Sequence, residues 1–238
     1  MPAFVRLALP LTLLAAVAAL PVHAAERQSR PVSGFTAIAL SAPLKLELVQ
    51  GDTESLALEG DETALAELET VVENGTLHIR SRTKKFFNFG VAPKVRAYVT
   101  AKNIESLRIS GSGDISMTAL RANALKVGIS GSGDVRIAAL AATSLDVSIS
   151  GSGDVTVAGK ADRIVAGISG SGDVKAGKLE AREAKVSIAG SGDVALWAKE
   201  SLTVKIAGSG DVRYYGDPAI TKSVAGAGSI KRVGPSPS

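Results

Sequence analysis

Gly151-Ser152-Gly153-Asp154 recurs along the chain at 111–114, 131–134, 170–173, 190–193 and 208–211, and a degenerate last copy reads Gly226-Ala227-Gly228-Ser229. Start to start, the copies lie 20, 20, 19, 20, 18 and 18 residues apart. A period of that length marks one supersecondary unit stacked on itself. Each copy sits between apolar alternations, for example Leu145-x-Val147-x-Ile149 before it and Val155-x-Val157 after it. Period two with β-branched residues is a strand signal. The opposite parity carries Lys126, Asp146, Ser148, Lys185, Ser187, Thr203 and Lys205, so one face of the strands is wet. A meander of hairpins would not restore parity and corner at every repeat, whereas coils stacked at about 4.7–4.9 Å in parallel register do. The sequence therefore predicts an all-β protein, a right-handed parallel β-solenoid with coils of about 20 residues.

In that fold the tetrapeptide is first a structural corner. Glycine reaches positive φ without a Cβ penalty and lets neighbouring coils approach, and Ser and Asp bond local backbone at turns. The stacking puts Asp114, Asp134, Asp154, Asp173, Asp193 and Asp211 in one row. Unit charges about 4.8 Å apart repel by roughly 0.9 kcal/mol in water and about 3.5 kcal/mol at an effective dielectric of 20. The row needs solvent, hydrogen-bond donors or cations. Calcium takes such ligands, and these six aspartates are the candidate metal row. The calcium-binding solenoid repeat is, however, a nonapeptide of different spacing, and hydroxyl and amide donors at the corner offer the simpler answer.

The remaining composition narrows the class. The chain has 238 residues, a formal charge of +4 and no cysteine. That charge, with acids and bases interspersed, gives no footprint for nucleic acid. Without Cys there is neither a disulfide nor a lipid-anchor cysteine. Arg6, the apolar run from Leu7 to Leu20 and Val22-His23-Ala24 have the layout of a secretory signal peptide over 1–24, too short and too interrupted by Pro10 for a stable membrane span. The expected location is extracytoplasmic, in the periplasm, at the surface or in the medium of a bacterium.

After a polar linker over 25–33, strand patterns begin at Phe35-x-x-Ile38 and Leu44-x-Leu46-x-Leu48, with a turn at Gln50-Gly51-Asp52. Asp61-Glu62-Thr63 starts the one short helix expected in the N-terminal half, carrying Leu65, Leu68, Val71 and Val72 and ending at Asn74-Gly75. Lys84-Lys85-Phe86-Phe87-Asn88-Phe89 reads as a core-packed strand or as a contact for a glycan, membrane or partner. In the last coil Lys222 falls in an otherwise inward row and Ser229 replaces Asp, as solenoids do to stop their edges recruiting strands. Tyr214, Tyr215 and Pro218 are expected to help close that end. One solenoid domain over 34–233 and a disordered tail over 234–238 complete the layout.

The Phe35-x-x-Ile38 start, the 44–48 strand with Gln50-Gly51-Asp52, the Asn74-Gly75-x-Leu77-x-Ile79 segment and the Ile-Ser-Gly-Ser-Gly-Asp iterations together resemble the auto-transporter adhesin head GIN domain family. The resemblance implies a secreted, right-handed β-helical domain with adhesion proposed by analogy, and it brings no catalytic residues. The expected function is a non-catalytic cell-envelope binding, adhesion or scaffold protein that needs no cofactor. Its expected partner is an envelope polysaccharide or a protein. One alternative is a polysaccharide-active enzyme, since the Asp row offers carboxylate pairs. Near-equivalent pairs repeated along the row argue for geometry rather than one cleft with two carboxylates. Trp197 is the only Trp, and His78 is the one histidine outside the signal segment, so neither a sugar platform nor a triad is supplied. The other alternative is a self-assembling surface component, a homo-oligomer packed side by side.

Overall fold

In the computed structural model, which describes residues 26–82 and 94–237, each repeat closes one coil of a β-solenoid. Strands β10 (Leu120–Gly131), β11 (Val135–Gly151), β12 (Val155–Gly170), β13 (Val174–Gly190) and β14 (Val194–Gly208) follow one another with only Ser-Gly-Asp between them. Each runs along one side of a coil, bends, and returns along the other. The bend leaves a register shift, as between Ile137 and Leu140 where β11 meets β12. Neighbouring coils pair in parallel with like residues opposed: Ile129 with Ile149, Ile149 with Ile168, Ile168 with Ile188, Ile188 with Ile206. The inward columns are the core. Val127, Val147, Ala166, Val186 and Val204 stack in one of them, each at most 1% exposed. Among the described residues no polar or charged side chain is buried. Cohesion without disulfides thus comes from aliphatic burial, about 1.5–3 kcal/mol for each fully enclosed side chain.

The N-terminal coils stack in a different order from the sequence. Strand β2 (Ala37–Ser41) lies parallel between β6 (Thr76–Ser81) and β8 (Ser106–Gly111). Likewise β3 (Lys45–Gln50) lies between β7 (Arg96–Ala101) and β9 (Asp114–Met117). The coil threaded first is therefore enclosed by two coils threaded later. Past it the pairing turns antiparallel: β4 (Ser55–Gly60) against β7, and β1 (Glu26–Arg30) against β4. This corrects the linker reading of 25–33. The edge of β4 has backbone groups to satisfy, and main-chain pairing asks no apolar pattern of the strand that meets them.

The helix is also shorter than its apolar spacing predicts. Only α1 (Glu62–Ala66) is helical, and β5 (Leu68–Glu73) forms an antiparallel hairpin with β6. Asn74 and Gly75 both have positive φ, 50° and 72°. They form the two-residue turn whose twist suits a hairpin, and with β-branched Thr70-Val71-Val72 they override the helical spacing. Helix α1 still lies over the core end, burying Ala64 and Leu65.

At the other end β15 (Val212–Tyr215) and β16 (Ala219–Gly226) form the last full coil, stacked on β14, and β17 (Ile230–Gly234) adds a half coil on β15. Lys222 pairs with Val204, at the top of the inward column, as the alignment of repeats requires. Tyr214 packs partly buried on the core. Gly234, read from sequence as tail, lies inside β17, where its carbonyl accepts the Gly216 N–H at 3.0 Å. The signal segment 1–24 and the Lys84–Phe89 cluster lie outside the described residues.

Candidate functional site

The corner is built on contacts that only hydrogen leaves room for. A Cβ on Gly153 would stand 2.2 Å from the Gly133 carbonyl oxygen and 2.8 Å from Ile129 Cγ2. Gly151 has φ 133°, and its added Cβ would stand 2.3 Å from the Gly131 oxygen. Backbone hydrogen bonds close the same gap, with Ser152 N–H donating to the Gly131 carbonyl at 2.9 Å. The serine between the glycines is exposed.

The structure brings the six predicted aspartates into one row and shows how the row is tolerated. The Asp114 amide donates to the Leu44 carbonyl at 2.9 Å, and from Asp134 on the amide of each aspartate donates to Oδ1 of the aspartate one coil earlier. Asp134 donates to Asp114 at 3.2 Å, Asp154 to Asp134 at 3.2 Å and Asp173 to Asp154 at 3.1 Å. Asp193 donates to Asp173 at 3.0 Å, and Asp211 to Asp193 at 2.9 Å. The second oxygen meets cations: Arg136 Nη2 lies 3.1 Å from Asp134 Oδ2, and Lys175 Nζ lies 2.5 Å from Asp154 Oδ2 and 3.6 Å from Asp173 Oδ2. Each carboxylate therefore serves the coil above it. Among the described residues no three His, Cys, Asp or Glu side chains converge on a position fit for a metal ion.

This arrangement accounts for the missing last aspartate. Among the described residues no coil stacks beyond Ser229, so a carboxylate there would accept no amide from them. Ser229 instead gives Asp211 Oδ1 both its N–H and its hydroxyl, each at 2.9 Å. These bonds, the hydroxyl first, hold the Asp211 carboxyl below its ordinary pKa despite the opposing effect of desolvation. A depressed folded pKa gives stability that is present above the unfolded carboxyl's range and lost as pH falls through the folded value. Ser229→Ala is expected to move the Asp211 carboxyl up toward its ordinary value, read by carbon-detected NMR titration. An unmoved titration would remove the hydroxyl from the account.

A different group of cations has no such partner. Arg108, Arg121 and Lys126 line a cleft of about 560 Å³ together with Asn103, Asn123 and Glu105. No ion pair engages these three among the described residues. The cleft lies along β8 and β10, whose pairing sets Ser106 beside Lys126 and Arg108 beside Gly128. The Gln50 side chain ties the start of β10 down: Oε1 accepts the Arg121 N–H at 2.8 Å, and Nε2 donates to the Arg121 carbonyl at 3.0 Å. Sequence reading missed this site. Its one available signal was that Arg108 and Lys126 share outward parity in successive coils. A second open groove, about 410 Å³, is more apolar, lined by Val49, Met117 and Ile137 between Glu47 and Arg136.

Comparison with known proteins agrees with this architecture. Residues 34–218 match the family model described as "Putative auto-transporter adhesin, head GIN domain". Among solved structures, a putative adhesin from Bacteroides fragilis superposes with TM-score 0.85 at 26% identity, over 90% of this chain and 99% of that one. A putative lipid binding protein from Parabacteroides distasonis gives TM-score 0.71 at 29% identity, over 89% of this chain and 98% of that one. A putative adhesin from Parabacteroides merdae shares the fold at 18% identity and TM-score 0.67, over 89% and 97%. No curated protein matches.

Proposed function

This chain belongs to the putative auto-transporter adhesin head GIN domain family, and from that premise we propose that it is a non-catalytic, extracytoplasmic adhesion protein that grips an anionic envelope polysaccharide. The observation that carries this reading is the cleft holding Arg108, Arg121 and Lys126, three cations against Glu105 alone. Arg136 and Lys175 by contrast are bonded to the aspartate row. Cations with no internal partner are the ones that give binding free energy to an external polyanion, because no existing pair must be broken. The strands beneath them, β8 and β10, run parallel in successive coils, and the long faces of a solenoid suit a polymer. The similarity to the putative adhesin from Bacteroides fragilis, at 26% identity, supports the adhesive role.

Binding of anionic and neutral envelope polysaccharides to immobilised protein tests this. Anionic polymer is expected to bind, to weaken with salt, and to lose tenfold or more in affinity in the triple substitution Arg108→Gln, Arg121→Gln, Lys126→Gln. The pair Arg136→Gln, Lys175→Gln is expected to change affinity less than threefold. Equal loss in both variants would assign the effect to overall charge and overturn the cleft. Degradation of the polymer during the assay would overturn the non-catalytic reading.

A further inference from the structure

The two ends of the solenoid are built differently and carry opposite charge. At the N-terminal end β1 and β5 are the outermost strands, and α1 spans the gap between β4 and β5 over the end of the core. Residues 51–79 of this cap contain eight acidic residues and neither Lys nor Arg, and β1 beside them adds Arg27 and Arg30 against Glu26, so the end stays acidic. Arg80 on β6 answers Glu69 at 2.7 Å and reaches Glu73 at 4.0 Å, while Asp61 and Glu62 at the start of α1 stand exposed.

The C-terminal end is open. Strand β16 pairs in register with β14 on one edge, and no register pairing with a described residue covers the other. All eight of its residues are exposed. The inward columns end there with Ile220 and Val224 at 39% and 42% exposure, where Leu202 and Ile206 one coil below have 1% and 2%. From 212 to 234 the chain holds Arg213, Lys222, Lys231 and Arg232 against one acid, Asp217, which lies 3.9 Å from Arg232. Apolar surface on an unpaired strand edge, set among like charges, is a docking surface for something acidic.

We propose that the occupant is a second copy of this chain, which sets its acidic N-terminal cap on the basic, open C-terminal end, head to tail. Joining two C-terminal ends would bring two Lys222 ammoniums together in the centre of the contact, so the like-with-like dimer is disfavoured by the residue that favours the acidic cap. A head-to-tail contact does not close on itself and builds linear assemblies along the solenoid axis. This axial contact is distinct from the side-by-side packing that the lateral faces allow, and it leaves the Arg108 cleft open.

Sedimentation velocity across a concentration series tests the proposal. At low salt the weight-average sedimentation coefficient is expected to rise with protein concentration. It is expected to fall back near 1 M salt, where the Debye length is roughly 3 Å. Lys222→Glu and the double substitution Asp61→Lys, Glu62→Lys are each expected to weaken association at least tenfold while leaving the circular dichroism spectrum unchanged. Mixing the two variants restores complementary ends and is expected to restore assembly. A monomer at every concentration would overturn the proposal, as would association that ignores the Asp61 and Glu62 changes, or a mixture no more associated than its parts.

Discussion

Gly153→Ala is expected to lower the melting temperature by about 6–12 °C, taking overpacking at about 3 kcal/mol and 2–4 °C per kcal/mol for a chain of this size. The added methyl would meet the Gly133 carbonyl oxygen at 2.2 Å, a backbone atom held in the parallel ladder that cannot turn aside as a side chain can. Relief requires the coils to separate at the corner. That would lengthen the Ser152 to Gly131 and Gly153 to Gly131 hydrogen bonds, now 2.9 and 3.1 Å, and lift the Asp154 amide from Asp134 Oδ1. Gly128→Ala is the matched control. Its nearest neighbour would be Arg108 Cγ at 3.8 Å, an ordinary contact, and a Cβ reduces the freedom of the unfolded chain, so Tm should hold or rise slightly. Differential scanning calorimetry of both variants decides the point. A Gly153→Ala protein that melts with the parent would mean that the glycine is there for chain flexibility and that the coils are not in contact at the corner.

The same contacts explain why the repeat region was legible. A Gly-x-Gly at fixed period between alternating apolar residues leaves few arrangements in which every glycine meets its counterpart and Ile129, Ile149, Ile168, Ile188 and Ile206 share a column. Register alone then placed Lys222 over Val204. The N-terminal end was less legible because its determinants are not local. Glu26–Arg30 becomes a strand through the open edge of β4, which its own residues do not encode. The stretch from Leu65 to Val72 satisfies helical spacing and a hairpin signal at once, and the positive φ of Asn74 and Gly75 decides between them. The enclosure of β2 between β6 and β8 reorders coils that any in-line reading stacks as they come. The aspartate row was visible as a row, while its partners, the amides of the next coil, follow only from the register. The Arg108 cleft needed the fold itself, since Arg121 joins Arg108 and Lys126 only where β10 begins, at the point Gln50 holds.

Replacing all six aspartates separates the two things a carboxylate offers, an acceptor and a charge. Six amides, those of Asp134, Asp154, Asp173, Asp193, Asp211 and Ser229, end on Oδ1 of the preceding coil. Alanine at all six positions strands these donors. At about 1 kcal/mol each, the low end for groups that water partly reaches, the sum is about 6 kcal/mol, comparable with the whole stability of many domains. The Ala variant is therefore expected to lose its cooperative urea transition. Asparagine keeps an oxygen in the Oδ1 place. It removes neighbour repulsions of roughly 0.9 kcal/mol in water, and it gives up exposed pairs such as Arg136 with Asp134, worth about 0–1 kcal/mol. These changes nearly cancel, so the Asn variant should unfold within about 2 kcal/mol of the parent, whose own melting should ignore calcium because Oδ1 is already committed to an amide. If the Asn variant instead collapses along with the Ala variant, and calcium raises the parent's Tm, then charge is what the row supplies, and the column of aspartates is a cation ladder in its own right.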